Sequence, residues 1–156
     1  MQNTVQSQPS TKNFYSSVYN FFRYCTGNNE RASRLTFLVF RRLRYRENRI
    51  TTETIYRTVY LVALEAETRE QTPKDLLVKR LHELSEMSDS SFKKVSERVL
   101  CLPFLERALM LFRDLLGLTD EEISKCLRLP IKTIRKRLHD ARLQLLSSER
   151  EVAGHA

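Results

Sequence analysis

Apolar residues recur every three or four positions along most of this chain, and that period admits helices and little else. Phe14, Val18, Phe21, Phe22 and Cys25 follow it, as do Ala32, Leu35, Val39 and Leu43. Ile55, Val59, Val62 and Ala66 repeat it, and so do Phe92, Val95, Val99 and Leu102. Leu105, Ala108, Leu109, Phe112, Leu115 and Leu116 carry it on, and Ile131, Ile134, Leu138, Ala141 and Leu145 close it. The whole chain of 156 residues has three glycines and four prolines, too few for a turn-rich sandwich or barrel.

The breaks in the pattern set the expected organisation: all-α, with two small helical domains joined by a linker. Residues 12–68 are expected to form a three-helix domain, with helices over about 13–25, 30–45 and 54–67. Gly27 and Asn28 supply the first stop, and a turn falls near Arg46–Thr52. Residues 69–91 read as the linker, with Pro73 and a Ser88–Ser91 cluster. Leu77, Leu81 and Leu84 predict a short helix there, able to pack on either neighbour. Residues 92–147 are expected to form a four-helix domain. Pro103 opens its second helix as a first-turn proline, and Gly117 ends that helix. Residues 1–11 and the stretch from Ser147 read as polar tails, the first of them disordered.

The segment Leu118–Leu145 is the most informative. Thr119-Asp120-Glu121-Glu122 is a capping box that starts a short helix ending near Leu127. Leu129-Pro130 punctuates, and an amphipathic helix follows. This is a helix-turn-helix pattern. The second helix buries Ile131, Ile134 and Leu138, and turns outward Lys132, Thr133, Arg135, Lys136, His139 and Arg142. A helix of this kind fits the DNA major groove, where its cations meet phosphates or guanine edges. The competing reading is a plain helical bundle whose last helix is basic outside. The cap, the turn proline and the polar run at these spacings favour the first.

Charge agrees with a polyanion partner. The formal net charge is +8, and seven arginines crowd residues 31–49 against the single acid Glu47. Residues 128–142 hold six basic side chains against Asp140, while 69–100 is nearly neutral. By itself, the same charge also suits ordinary solvated helix surfaces.

Several classes are disfavoured. No run of 18 apolar residues is present, so no membrane insertion is expected. Met1–Thr11 lacks the apolar core of a secretory signal, so the expected location is cytoplasmic. Cys25, Cys101 and Cys126 are far apart and read as reduced thiols; with His82, His139 and His155 they form no metal-ligand spacing. No paired carboxylates, nucleophile elbow or glycine-rich phosphate loop is visible. Neither an enzyme nor a catalytic residue, cofactor, metal site or small-molecule substrate is expected.

The stretch Leu102-Pro103-Phe104-Leu105-Glu106-Arg107-Ala108-Leu109, then Gly117 to Ser124, then Leu129 to Arg142, resembles the C-terminal domain of extracytoplasmic-function sigma factors. That resemblance implies a non-enzymatic factor that binds core RNA polymerase and recognises promoter DNA, with an anti-sigma factor as a further partner. It implies that Lys132, Thr133, Arg135, Lys136 and His139 face the −35 element, and that Arg137 and Glu122 pair to hold the two helices together. Where the family has glycine, at the turn and near the recognition-helix start, this chain has Arg128 and Lys132. A non-glycine residue in a left-handed turn costs about 1 kcal/mol, and both changes add charge.

The N-terminal half resembles the family's other domain through Ala32, Leu35 and Phe40, and through Ile55-Tyr56-Arg57 with Ala63-Leu64-Glu65. That second set matches the helix that melts and reads the −10 element. The functional positions differ. Ser33, Arg34, Phe37 and Leu38 stand where the family has an acidic and polar patch for the polymerase, Thr54 where it has Trp, and Leu61 where it has Asn. The resemblance places polymerase contacts at Ser33, Arg34, Phe37 and Arg41. Phe37 is expected to be buried against the linker, the other reading being presentation to a different partner. A sigma-like regulator that does not itself direct initiation is the alternative function.

Overall fold

The computed structural model describes residues 11–45, 50–69, 73–86 and 88–154, and every regular element among them is helical. In chain order these are α1 (Thr11–Thr26), α2 (Asn29–Arg44), α3 (Thr52–Arg69), α4 (Pro73–Ser85), α5 (Ser90–Leu100), α6 (Phe104–Met110), a π-helical turn (Leu111–Leu115), α7 (Asp120–Leu127) and α8 (Ile131–Ala153). Of the tail expected over residues 1–11, Thr11 opens α1; the rest of it, and most of the turn after α2, lie outside the described residues.

Local chemistry explains the helix ends. Gly27 takes φ +67, and Asn28 caps α2 by accepting from the Arg31 amide at 2.8 Å. Asp89 caps α5 by accepting from the Phe92 amide at 3.0 Å, and that bond is the main cause holding its carboxyl below the usual range. Pro103 stands just before α6 as its N-cap, one position earlier than the first-turn placement read from the sequence. The π turn was not foreseen: the Leu116 amide reaches back five residues to the Leu111 carbonyl, at 3.0 Å. α8 runs on to Ala153, through residues read as a polar tail.

The α1–α3 unit packs α1 on α2 and α2 on α3. Ala32, Thr36, Val39 and Leu43 form the inward stripe of α2, with the Thr36 hydroxyl satisfied by the Ala32 carbonyl at 2.7 Å. The α5–α8 unit centres on Ala108, Leu109, Phe112, Ile123, Ile134 and Leu138. The two units share one apolar core. Phe112 sits at its middle, with ring centroids 4.9 Å from Phe21 and 6.1 Å from Tyr56. A three-helix unit of this size is near the small end of what folds alone, and docking on the second unit removes more apolar surface from water.

The segment read as a linker packs on both neighbours. Leu84 of α4 is buried with Phe92 and Leu100 of α5, and Tyr24 of α1 closes the same small cluster. A polar joint lies beside it. Glu67 of α3 accepts from Arg80 of α4 at 3.1 Å and from Arg107 of α6 at 3.5 Å. Arg107, only 5% exposed, also donates to the carbonyls of Cys25 at 3.2 Å and Leu102 at 3.1 Å. One carboxylate therefore ties three helices, and a buried guanidinium fixes how α1 meets α6.

Candidate nucleic-acid interface

The site begins at the start of α7. The Thr119 amide donates to the Glu122 carboxylate at 2.7 Å, and the Glu122 amide donates to the Thr119 hydroxyl at 3.2 Å. This reciprocal box satisfies two otherwise orphaned donors, and Asp120, Glu121 and Glu122 complement the helix dipole. At the other end Arg128 takes φ 55 and ψ 42, the left-handed conformation expected of the turn. The Ser124 hydroxyl donates to the Leu129 carbonyl at 2.6 Å and fixes the chain as it reverses. Pro130 then caps α8. Lys132 stands inside that helix and does not have a positive φ, so its side chain meets no backbone strain there.

Ile123, Cys126 and Leu127 of α7 and Ile134, Leu138 and Ala141 of α8 face the core. That burial aims the opposite side of α8 at solvent. Lys132, Arg135, Lys136, His139 and Arg142 are all exposed, whereas Thr133 is half-buried at the margin. Lys132, Lys136 and His139 lie along one line of the helix, followed a turn later by the exposed Leu143.

Acids from other helices hold several of the cations. Arg135 donates through Nε to Asp120 at 2.8 Å, and that bond raises its already high pKa. Asp120 also accepts from Arg113 at 3.1 Å. Arg142 lies 3.4 Å from Asp114. Among the described residues, Lys132 and Lys136 make no ion pair. The Arg135 and Arg142 partners lie too far away along the chain for local spacing to reveal them.

One expected pair is not formed. Arg137 donates to Glu106 of α6 at 2.7 Å, and Glu122 is occupied by the Thr119 cap. Glu106 is almost fully enclosed, so a cation from α8 offsets a carboxylate that would otherwise be buried without a partner. Glu122 sits at the exposed start of α7 and has no comparable need.

α7 packs against α3 on its other side. Arg57 donates to the Cys126 carbonyl at 3.3 Å across that contact. Burial pushes the Cys126 thiol up to about 11, with Glu53 and Glu122 adding to the rise. The helix likened to the −10 reader thus has Ile55, Tyr56, Val59, Val62 and Ala63 buried.

On α2, Ser33, Arg34, Phe37 and Arg41 share an exposed face. Phe37 is 63% exposed, against the expectation that it would be buried. The inward stripe of α2 passes beside it, and α4 reaches the start of α2, where Glu83 accepts from Asn28 at 3.3 Å. Arg42 is directed elsewhere, making two bonds to Glu65 at 2.9 and 2.7 Å.

Among the described residues no helix is long and apolar enough to cross a membrane, and no group of three metal-ligating side chains converges. Residues 92–145 match the family model for sigma-70, region 4. No curated protein matches the chain. Sigma-70 region 4 is a non-enzymatic helix-turn-helix domain of transcription factors, and the match runs from α5 into α8.

Proposed function

We propose that the chain is a divergent sigma factor of the extracytoplasmic-function kind, which binds core RNA polymerase and recognises promoter DNA to start transcription. The observation that carries this reading is the outward face of α8. Lys132, Arg135, Lys136 and His139 stand exposed there on the second helix of a capped helix-turn-helix, inside the region 4 match. Such a face presents donors to phosphates and base edges with its aliphatic stripe turned away. Lys132 and Lys136 suit phosphate contacts. Arg135 suits base reading once Asp120 releases it, and Arg142 flanks them. Thr133 contributes at the edge, through its half-exposed side chain. On this reading residues 12–68 and 92–147 are the two working units, residues 69–91 join them, and the protein acts in the cytoplasm.

The α2 face and α3 favour a second reading. Arg34 and Phe37 replace an acidic and polar polymerase patch with a cation and an exposed aromatic, and α3 is engaged by α7. A polymerase surface built for acids would meet like charge there, which typically costs about 2–5 kcal/mol at a desolvated contact. On this second reading the chain is a sigma-like regulator that binds DNA or an anti-sigma factor without directing initiation.

Two measurements separate the readings. Copurification with core polymerase together with run-off transcripts supports the first. DNA binding or anti-sigma capture without transcripts supports the second. A protein that binds neither polymerase nor DNA contradicts both.

A further inference from the structure

A cavity of about 430 Å³ lies where α3, α4 and the α5–α6 junction meet. Its polar side is the joint of Glu67, Arg80 and Arg107. Leu77 of α4, Leu100 and Leu102 at the junction, and Phe104 of α6 supply apolar walls. Cys101 lines it too and is exposed. A space of this size takes a small organic molecule rather than one or two waters.

Arg80 and Arg107 are 3% and 5% exposed, and both donate to the Glu67 carboxylate. Arg107 has five N–H donors. Its two terminal nitrogens use theirs on the carbonyls of Cys25, Leu100 and Leu102 and on Glu67. The remaining donor, on Nε, is enclosed and meets no acceptor among the described residues. Buried donors in folded proteins are almost always paired, so an orphan one beside a cavity marks a place for an incoming acceptor.

Water would serve that donor and leave the leucines and the Phe104 ring wetted. An uncharged apolar molecule would cover the walls and leave the donor unpaired. An organic acid does both, and Glu67 shows that these guanidiniums take a carboxylate. We infer that this cavity is a binding site for a small organic acid, its carboxylate set against Arg107 and its apolar body against Leu77 and Phe104. The inference does not rest on the function proposed above, because no side chain of the outward α8 face lines the cavity. Since α3, α4 and α6 all border it, a bound acid ties the two helical units more tightly.

The test uses the full chain, with naphthoate as the probe and naphthamide and inorganic phosphate as controls. Cys101 is the local reporter, since Cys25 and Cys126 are buried. Saturating naphthoate is expected to slow iodoacetamide alkylation of Cys101 severalfold and to raise the melting temperature. Naphthamide lacks the charge and phosphate lacks the apolar body, so neither should protect at the same concentration. Glu67→Gln removes the acid beside the probe and should tighten naphthoate about tenfold, a gain that a merely structural Glu67 does not predict. Leu77→Trp fills the cavity and should abolish protection. Cys101→Trp fills it from an exposed position and should abolish binding in titration calorimetry, which keeps the test decisive if Leu77→Trp does not fold. Protection that is absent, or equal with naphthamide or phosphate, overturns the inference. So does naphthoate affinity that Glu67→Gln leaves unchanged or weakens with the helical spectrum intact, or binding that survives Cys101→Trp.

Discussion

Arg135 of α8 is tied to Asp120 of α7 by a bond of 2.8 Å from its Nε. The two helices of the motif are thereby linked through an exposed side chain of α8. Asp120 is largely enclosed and is also held by Arg113. On the proposed function, DNA would have to compete with a carboxylate for this guanidinium.

Asp120→Asn should release Arg135 and raise duplex affinity by roughly two- to fivefold, the range expected for a partly exposed pair. The same change removes an acid from the first turn of α7 and one partner of Arg113. The melting temperature should fall by roughly 2–4 °C. Titration of a labelled duplex alongside thermal unfolding tests both. Unchanged affinity would mean that Arg135 stays with Asp120 in the complex.

The Arg137–Glu106 bond joins a half-exposed guanidinium to an enclosed carboxylate. Arg137→Ala leaves the Glu106 carboxylate enclosed without its cation and should destabilise the fold by about 1–3 kcal/mol. A double-mutant cycle with Glu106→Gln should show coupling above about 0.5 kcal/mol, and one with Glu122→Gln should show none. Coupling to Glu122 alone would restore the pair implied by resemblance.

Thiol chemistry should distinguish the three cysteines. Cys101 is exposed, while Cys25 and Cys126 are buried. A disulfide reagent should modify one thiol per chain quickly and the other two only as the fold opens. Rapid labelling of Cys126 would show that α3 and α7 separate readily in solution.

The same burial sets an alkaline limit. Cys126 ionises near pH 8.5 when unfolded and at about 11 in the fold, so the folded state holds its proton longer. Its stabilising contribution is complete below pH 8.5 and is lost as pH rises towards 11. Cys25 and Tyr56, both pushed up mainly by burial, act in the same direction. Denaturant midpoints measured across that window should fall, and Cys126→Ala should make the fall shallower. An identical decline in that variant would assign the effect to the other groups.

Two turn positions should respond in opposite directions. Arg128→Gly relieves a left-handed residue at φ 55 and should stabilise by about 0.5–1 kcal/mol. Gly27→Ala adds both strain at φ +67 and a Cβ only 2.8 Å from the Leu100 side chain, so it should destabilise. Chemical denaturation of the two variants tests the pair. A destabilised Arg128→Gly would show that the arginine side chain makes up for its backbone cost.

The apolar period, the Gly27–Asn28 stop and the Thr119–Glu122 box were legible in the sequence, because each depends on residues within one or two helical turns; the left-handed turn at Arg128 was implied by the family resemblance. The outward face of α8 followed from the same period. Tertiary structure alone decided who meets whom. Arg135 finds Asp120 at a separation of 15 residues and Arg137 finds Glu106 at 31, with no local signal for either choice. It also placed Phe112 between the two units, packed α4 on both neighbours and left Phe37 in water. The physical reason is range. Capping, propensity and periodicity act along a few residues of one chain segment, whereas ion pairs and core contacts depend on which helix faces pack, and that is settled by the burial of the whole chain at once.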